Sequence, residues 1–190
     1  MNNMVIEPTE IEGVFVVTPT VHTDERGFFM ESFRADAFES KGLPTHFVQD
    51  NHSRSVPKNT VRGLNFQFDP PMAKLMRVTR GSAFLVAVDM RKNSPTLGKW
   101  VGIEATEENK KQLYAPAGFA RGFQTLTENT EVQYKCTAFF NQAGEAEIAW
   151  NDPTIGIAWP LAGEPLLSVR AAQAPSFKEW LSKPESDRII

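Results

Sequence analysis

The chain has one cysteine, Cys136, in 190 residues, so it cannot form an internal disulfide. A reducing, cytoplasmic setting is therefore expected. Histidine is nearly as scarce. His22, His46 and His52 never form a His-x-His pair, and none has a Cys or Glu at ligand-like spacing. No metal site is expected from them, and no cofactor. No apolar run approaches the ~18 residues that a membrane-spanning helix needs. The start, Met1-Asn2-Asn3-Met4-Val5-Ile6-Glu7, lacks the basic residues and apolar stretch of a signal peptide. Net charge is only -3, which gives no bulk reason to expect nucleic acid or a membrane as partner. The sequence also lacks a glycine-rich phosphate loop opening a long helix, a serine-nucleophile elbow, internal repeats and a low-complexity linker. Cys136 itself sits in the strand-like run Tyr134-Lys135-Cys136-Thr137, where a buried, inert thiol is expected.

What is present points to β structure. An apolar fraction of 41% and a charged fraction of 23% are ordinary for a globular protein, and the length suits a single domain over 1–190. Fourteen Phe, 13 Pro and 12 Gly are scattered so that apolar runs stay short. Strands are expected at 14–17, 27–33, 46–51, 60–67, 74–79, 83–89, 100–105, 111–115, 119–126, 131–139 and 146–150, with short helices only at 34–40 and 176–181. Many short, closely spaced strands argue for a sandwich or barrel. A jelly roll fits the strand count, and pattern alone leaves an immunoglobulin-like sandwich open. Gly81–Asp89 is apolar on both faces, which suits a strand covered on both sides. Residues 183–190 are expected to fray.

Polar residues embedded in these strands are the candidate site. Asp24-Glu25-Arg26-Gly27 reads as a polar turn ahead of an aromatic strand, and Gln49-Asp50-Asn51-His52-Ser53 as a loop lip or an amide-rich site. Arg62 and Gln67 flank Asn65, Lys74 opens the next strand, and Arg121 interrupts the core-like run Phe119-Ala120-Arg121-Gly122-Phe123. Buried cations need compensation, so several pointing into a barrel require an anion there. A diphosphate would satisfy them.

The ordered set Asp24–Phe29, Phe47–Ser53, Arg62-Gly63-Leu64, Ser94-Pro95-Thr96, Pro116–Phe123, Tyr134–Thr137 and Trp150-Asn151-Asp152-Pro153 resembles the dTDP-4-dehydrorhamnose 3,5-epimerase family from about Val14 to Pro175. The resemblance implies an all-β, cupin-type jelly-roll double-sheet barrel without a metal, with short flanking helices. It implies a homodimer with exchanged N-terminal strands, and a nucleotide-diphosphate-linked 4-keto-6-deoxysugar as substrate. Arg26, Phe29, Glu31, Gln49, Asn51, Arg62, Gln67, Lys74 and Glu145 match its substrate-binding positions. Arg170 stands where a lysine is usual, Phe139 where an aromatic stacks on the nucleobase, and Tyr134 where the catalytic tyrosine donates a proton. The departures cluster. Asn65 occupies the place of the histidine base, Ala171 that of its orienting aspartate, Arg121 that of a second site histidine and Leu85 that of an aspartate.

A carboxamide has no useful basicity, whereas a histidine takes protons near pH ~6.5. The family reaction removes a proton beside a C4 ketone and returns one to the other face. Here Tyr134 would carry a proton, Lys74 or Arg121 would stabilise the enolate, and Tyr134 would serve as base if neighbouring cations lowered its pKa. That scheme favours epimerisation at one carbon or another enolisation-based isomerisation over the double epimerisation. The competing reading is a catalytically impaired nucleotide-sugar binding protein of a polysaccharide pathway.

Overall fold

The computed structural model describes residues 4–189. Its strands are β1 (Met4–Pro8), β2 (Phe15–Pro19), β3 (Val21–Asp24), β4 (Gly27–Met30), β5 (Gln49–Ser55), β6 (Val61–Gln67), β7 (Lys74–Arg80), β8 (Ser82–Asp89), β9 (Trp100–Thr106), β10 (Gln112–Ala115), β11 (Phe119–Thr125), β12 (Thr130–Cys136) and β13 (Glu145–Glu147). Three short helices accompany them: α1 (Ala35–Glu39), α2 (Val169–Ala172) and α3 (Phe177–Leu181). A six-stranded sheet, ordered β1-β2-β10-β7-β12-β5, faces a five-stranded one, ordered β13-β6-β11-β8-β9. Every pairing of strands in these sheets is antiparallel. This is the expected all-β jelly roll of the cupin type, although among the described residues no hydrogen-bonded seam joins the two sheets into a closed barrel.

Three apolar layers hold it together. Between the sheets lie Met76, Val78, Leu85, Ala87, Val101, Leu113, Phe119, Phe123 and Val132. Outside the five-stranded sheet, the C-terminal segment lays Ile155, Phe177, Trp180 and Ile189 over Leu64, Phe66, Val86 and Val88. Alternate residues of β8 therefore enter different cores, which explains why both its faces are apolar. Outside the six-stranded sheet, Phe38 of α1 packs on Met4, Ile6, Val17, Leu75 and Tyr114.

Several boundaries differ from expectation. The strand expected over 46–51 runs instead over Gln49–Ser55, and those expected to reach Phe33 and Phe139 stop at Met30 and Cys136. The tail does not fray over 183–189. Ser186 is buried with its hydroxyl donating to the carbonyls of Leu181 and Lys183, Ile189 is buried in the outer core, and Arg188 pairs with Asp69 at 2.7 Å. Apolar contact fixes what composition marked as loose; Ile190 lies outside the described residues. Among the described residues no helix is long and apolar enough to cross a membrane, and no group of three His, Cys, Asp or Glu side chains gathers as a metal site.

Candidate active site

The interior between the sheets is apolar at one end and polar at the other. On the six-stranded sheet, Gln49, Cys136 and Lys74 lie opposite one another across β5, β12 and β7, and Asn51, Tyr134 and Met76 form the next row. Residues directly opposed across strands share a face. Tyr134 and Met76 pack into the inter-sheet core, so this face looks inward. From the opposing sheet, Asn65 of β6 and Arg121 of β11 are register partners. Together Ser53, Arg62, Asn65, Lys74, Met76, Arg121, Gly122, Phe123 and Tyr134 line a cavity of about 140 Å³.

A bulge aims the β6 residues. Between Arg121 and Phe123 the pairing with β6 shifts, so Asn65 and Arg62 are the partners on either side of an extra residue. Gly63 sits in this bulge at φ +99°, and a Cβ on it would come 2.5 Å from the Arg121 carbonyl oxygen. Only glycine fits so close a backbone approach.

Electrostatics sharpen the arrangement. Arg121 is only 3% exposed; its Nη1 donates to the Met72 carbonyl at 2.8 Å and the Pro116 carbonyl at 3.3 Å, while Nε and Nη2 have no partner. Burial pushes its pKa down to about 10, which leaves it charged at neutral pH. Lys74 Nζ lies 4.8 Å from the centroid of the Tyr134 ring. Burial first, then repulsion from Arg121, lowers the Lys74 ammonium pKa to about 8. Burial raises the Cys136 thiol, in keeping with the inert role expected of it. The Asn65 Oδ1 is buried without a donor.

Tyr134 requires a correction. Burial raises its pKa, and the opposing pull of Asn51 and Arg62 is smaller. The cations do not lower it as the base scheme required, so Tyr134 is a neutral phenol suited to giving a proton.

The remaining candidates fall into three groups. Gln49 and Gln67 hold the segment after β12: Gln49 Oε1 accepts from the Phe140 amide at 3.0 Å, and Gln67 accepts from the Asn141 amide at 2.8 Å while donating to the Pro70 and Phe139 carbonyls at 2.9 and 3.0 Å. The Phe139 ring is thereby presented to solvent, 68% exposed. Glu145 and Arg170 form a second group, joined at 2.7 Å, with Arg170 also 2.9 Å from Glu147. The third group lies apart from the cavity. Arg26 pairs with Asp24 across the β3–β4 turn, Phe29 is 68% exposed, and Glu31 pairs with Arg34 at 3.3 Å. The turn itself was read as polar, and it is.

Sequence reasoning did not single out Ser53 as a cavity residue or the buried Glu147, whose carboxyl burial pushes up in pKa. Glu147 lies opposite Asn65 in register, and its position in the charged run Glu145-Ala146-Glu147 gave no sign of burial. Ala171 is buried on α2, a helix packed against β6, so the strand carrying Asn65 has an apolar methyl where a carboxylate was expected. Leu85 is fully buried in the inter-sheet core opposite Phe123. Two of the ordered motifs are scaffold. Buried Asp89 accepts hydrogen bonds from Ser94 and Thr96 at 2.6 Å each, and Asp152 accepts from the Thr154, Ile155 and Phe177 amides.

Comparison with known proteins identifies the family. The family described as dTDP-4-dehydrorhamnose 3,5-epimerase matches residues 8–179. The chain is 48% identical over 180 residues to the dTDP-4-dehydrorhamnose 3,5-epimerase of Salmonella typhimurium, covering 94% of this chain and 98% of that one. It superposes with a TM-score of 0.91 and 41% identity on the dTDP-6-deoxy-D-glucose-3,5-epimerase of Legionella pneumophila in complex with dTDP-4-keto-L-rhamnose, over 96% of each chain. A 3'-monoepimerase from Streptomyces bikiniensis, solved with dTDP as a double variant with one histidine changed to asparagine and one tyrosine to phenylalanine, is 34% identical at a TM-score of 0.86, covering 91% of this chain and 87% of that one. The chain therefore belongs to the dTDP-4-dehydrorhamnose 3,5-epimerase family.

Proposed function

We propose that the chain is a nucleotide-linked 4-keto-6-deoxysugar epimerase that works by enolisation without the histidine base. The observation that carries this reading is the gathering of Lys74, Arg121 and Tyr134 around one buried cavity with Asn65. A proton donor and two cations are what a C4 enolate requires. An apparatus retained only for binding would have no need of an arginine buried with two idle donors, since each unsatisfied group costs roughly 1–3 kcal/mol. Arg62 lines the cavity and would contact phosphate, Gln49 and Asn51 project from β5 on the cavity side, the Glu145–Arg170 pair stands at the Gln67 end of β6, and Phe139 offers an aromatic face to the base. The Streptomyces bikiniensis variant in complex with dTDP shows that, in that protein, nucleotide binding survives removal of a histidine and a tyrosine.

In this reading residues 1–190 form one domain, work in the cytoplasm, and assemble as a homodimer with exchanged N-terminal segments. The hairpin β3–β4 supports the dimer, because it pairs with no other described strand and leaves Phe28 and Phe29 57% and 68% exposed. Arg26 and Phe29 would then complete the partner's site. Nucleic acid and membranes have no place in it. The test is incubation with dTDP-4-keto-6-deoxyglucose in D2O. Deuterium entering C3 or C5 supports the reading, with one labelled carbon marking a monoepimerase. Tight binding with no exchange would support the impaired binding protein instead.

A further inference from the structure

We propose that Lys74 is the group that removes the carbon-bound proton, and that Arg121 binds the oxygen on which the resulting charge settles. The assignment rests on the epimerase reading above and deepens it. Of the side chains lining the cavity, Asn65 has no basicity, and Arg121 keeps its proton up to about pH 10. Tyr134 is a neutral phenol whose burial opposes ionisation. Lys74 is the one nitrogen there that can exist as a free amine in an ordinary pH range.

Its surroundings favour that form. Arg121 faces it from β11, charged at neutral pH, and Ala115 opposite it on β10 brings no counter-charge. Cys136 on β12 and Glu145 on β13 pull the other way, but less strongly than burial and Arg121 push. Tyr134 presents its ring to Nζ at 4.8 Å, and Arg62 lines the same cavity. Lys74 forms no ion pair with any described residue.

The step balances within the cavity. The C–H bond beside the ketone breaks, a new N–H bond forms on Nζ, and the electron pair moves to the C4 oxygen as enolate. The two unpartnered N–H groups of Arg121, on Nε and Nη2, are the donors free to receive it. Tyr134, whose ring lies against Nζ on the same sheet, then gives its phenolic proton to the carbon. The proton held by Lys74 returns to the phenolate to reset the site. A guanidinium in place of a histidine thus has two effects: it stays charged to hold the enolate at neutral pH and lowers the hold of the neighbouring amine on its proton.

The assay is deuterium incorporation into dTDP-4-keto-6-deoxyglucose by wild type, Lys74→Arg, Lys74→Met and Arg121→Gln, with dTDP affinity and circular dichroism checking that each variant is folded. Lys74→Arg keeps the charge and discards the basicity. Exchange should fall about a hundredfold or more in it, as expected for loss of a general base. The wild-type rate should rise with pH through about 8, and that limb should move upward in pH in Arg121→Gln. Should Lys74→Arg retain exchange within tenfold, Lys74 would be an electrostatic group and the assignment would fall while the epimerase reading stood. Absence of exchange in the wild type would overturn the epimerase reading and this assignment together. Pulsed acetylation read by mass spectrometry gives a check that needs no turnover. Lys74 should react as an amine titrating near 8 in wild type and higher in Arg121→Gln; titration near 10.5 in both would contradict the assignment.

Discussion

Replacing Lys74 by methionine should stabilise the protein at neutral pH, and the gain should vanish in mild alkali. Lys74 would be protonated with a pKa of 10.5 in an unfolded chain, but burial and Arg121 lower this to about 8 in the fold. Below pH 8 the folded chain carries a charge that it resists, and the full cost is present. As pH rises from about 8 toward 10.5 the folded form releases that proton while the unfolded form keeps it, so the cost is progressively relieved. The gap corresponds to roughly 3 kcal/mol, at ~1.4 kcal/mol per pH unit. Methionine fills nearly the same space as the lysine stem without the charge. Urea denaturation of both proteins at intervals from about pH 7 to about pH 10 measures the difference directly. Lys74→Met should be more stable by up to about 3 kcal/mol at the low end, and the two should converge at the high end. A variant less stable at neutral pH, or a gap that does not change with pH, would refute the electrostatic account of the cavity.

Tyr134→Phe should keep dTDP affinity and deuterium exchange through Lys74 while lowering product formation by ~10²–10⁴-fold, because only the phenolic proton is lost; calorimetry, exchange rates and product turnover measured side by side check this. Asn65→His alone should add little activity, since Ala171 leaves the imidazole without a carboxylate, whereas Asn65→His with Ala171→Asp should add more, read as exchange gained below pH ~7. Gly63→Ala should cost on the order of 3 kcal/mol or more and lower the melting temperature, because its methyl meets the Arg121 carbonyl at 2.5 Å and the Gly122 Cα at 2.9 Å in a positive-φ bulge.

Much of this architecture was legible in the sequence, and the exceptions share a cause. β8 could be read because both of its faces are apolar, and the helix expected at 176–181 is α3, which the structure starts with a capping box between Ser176 and Glu179. β5 was misplaced because Gln49–Ser55 carries no hydrophobic alternation: its inner face borders a polar cavity and its outer face meets solvent. β1 and β3 are short edge or hairpin strands, fixed by pairing with β2 and β4 more than by their own composition. The site behaved likewise. Residue types alone suggested cations around an anion, and the family resemblance supplied the positions, but neither could show that Arg121 would be buried with two free donors or that Lys74 would lie against Tyr134. Those facts depend on which strands become neighbours. The condition under which Tyr134 would serve as base, a pKa lowered by neighbouring cations, is not met for the same reason, since burial outweighs them and sequence does not report burial.

The central claim is that this chain enolises a 4-ketosugar although residue 65 cannot act as a base. The most direct measurement is the rate of solvent deuterium incorporation into dTDP-4-keto-6-deoxyglucose by wild type and by Asn65→Ala, followed by NMR at C3 and C5. The account predicts exchange in the wild type and a rate within about tenfold of it in Asn65→Ala, well short of the ~10²-fold or greater loss that removing a proton-transfer group brings. No exchange in the wild type, or a loss of that larger size on removing the Asn65 amide, would contradict it.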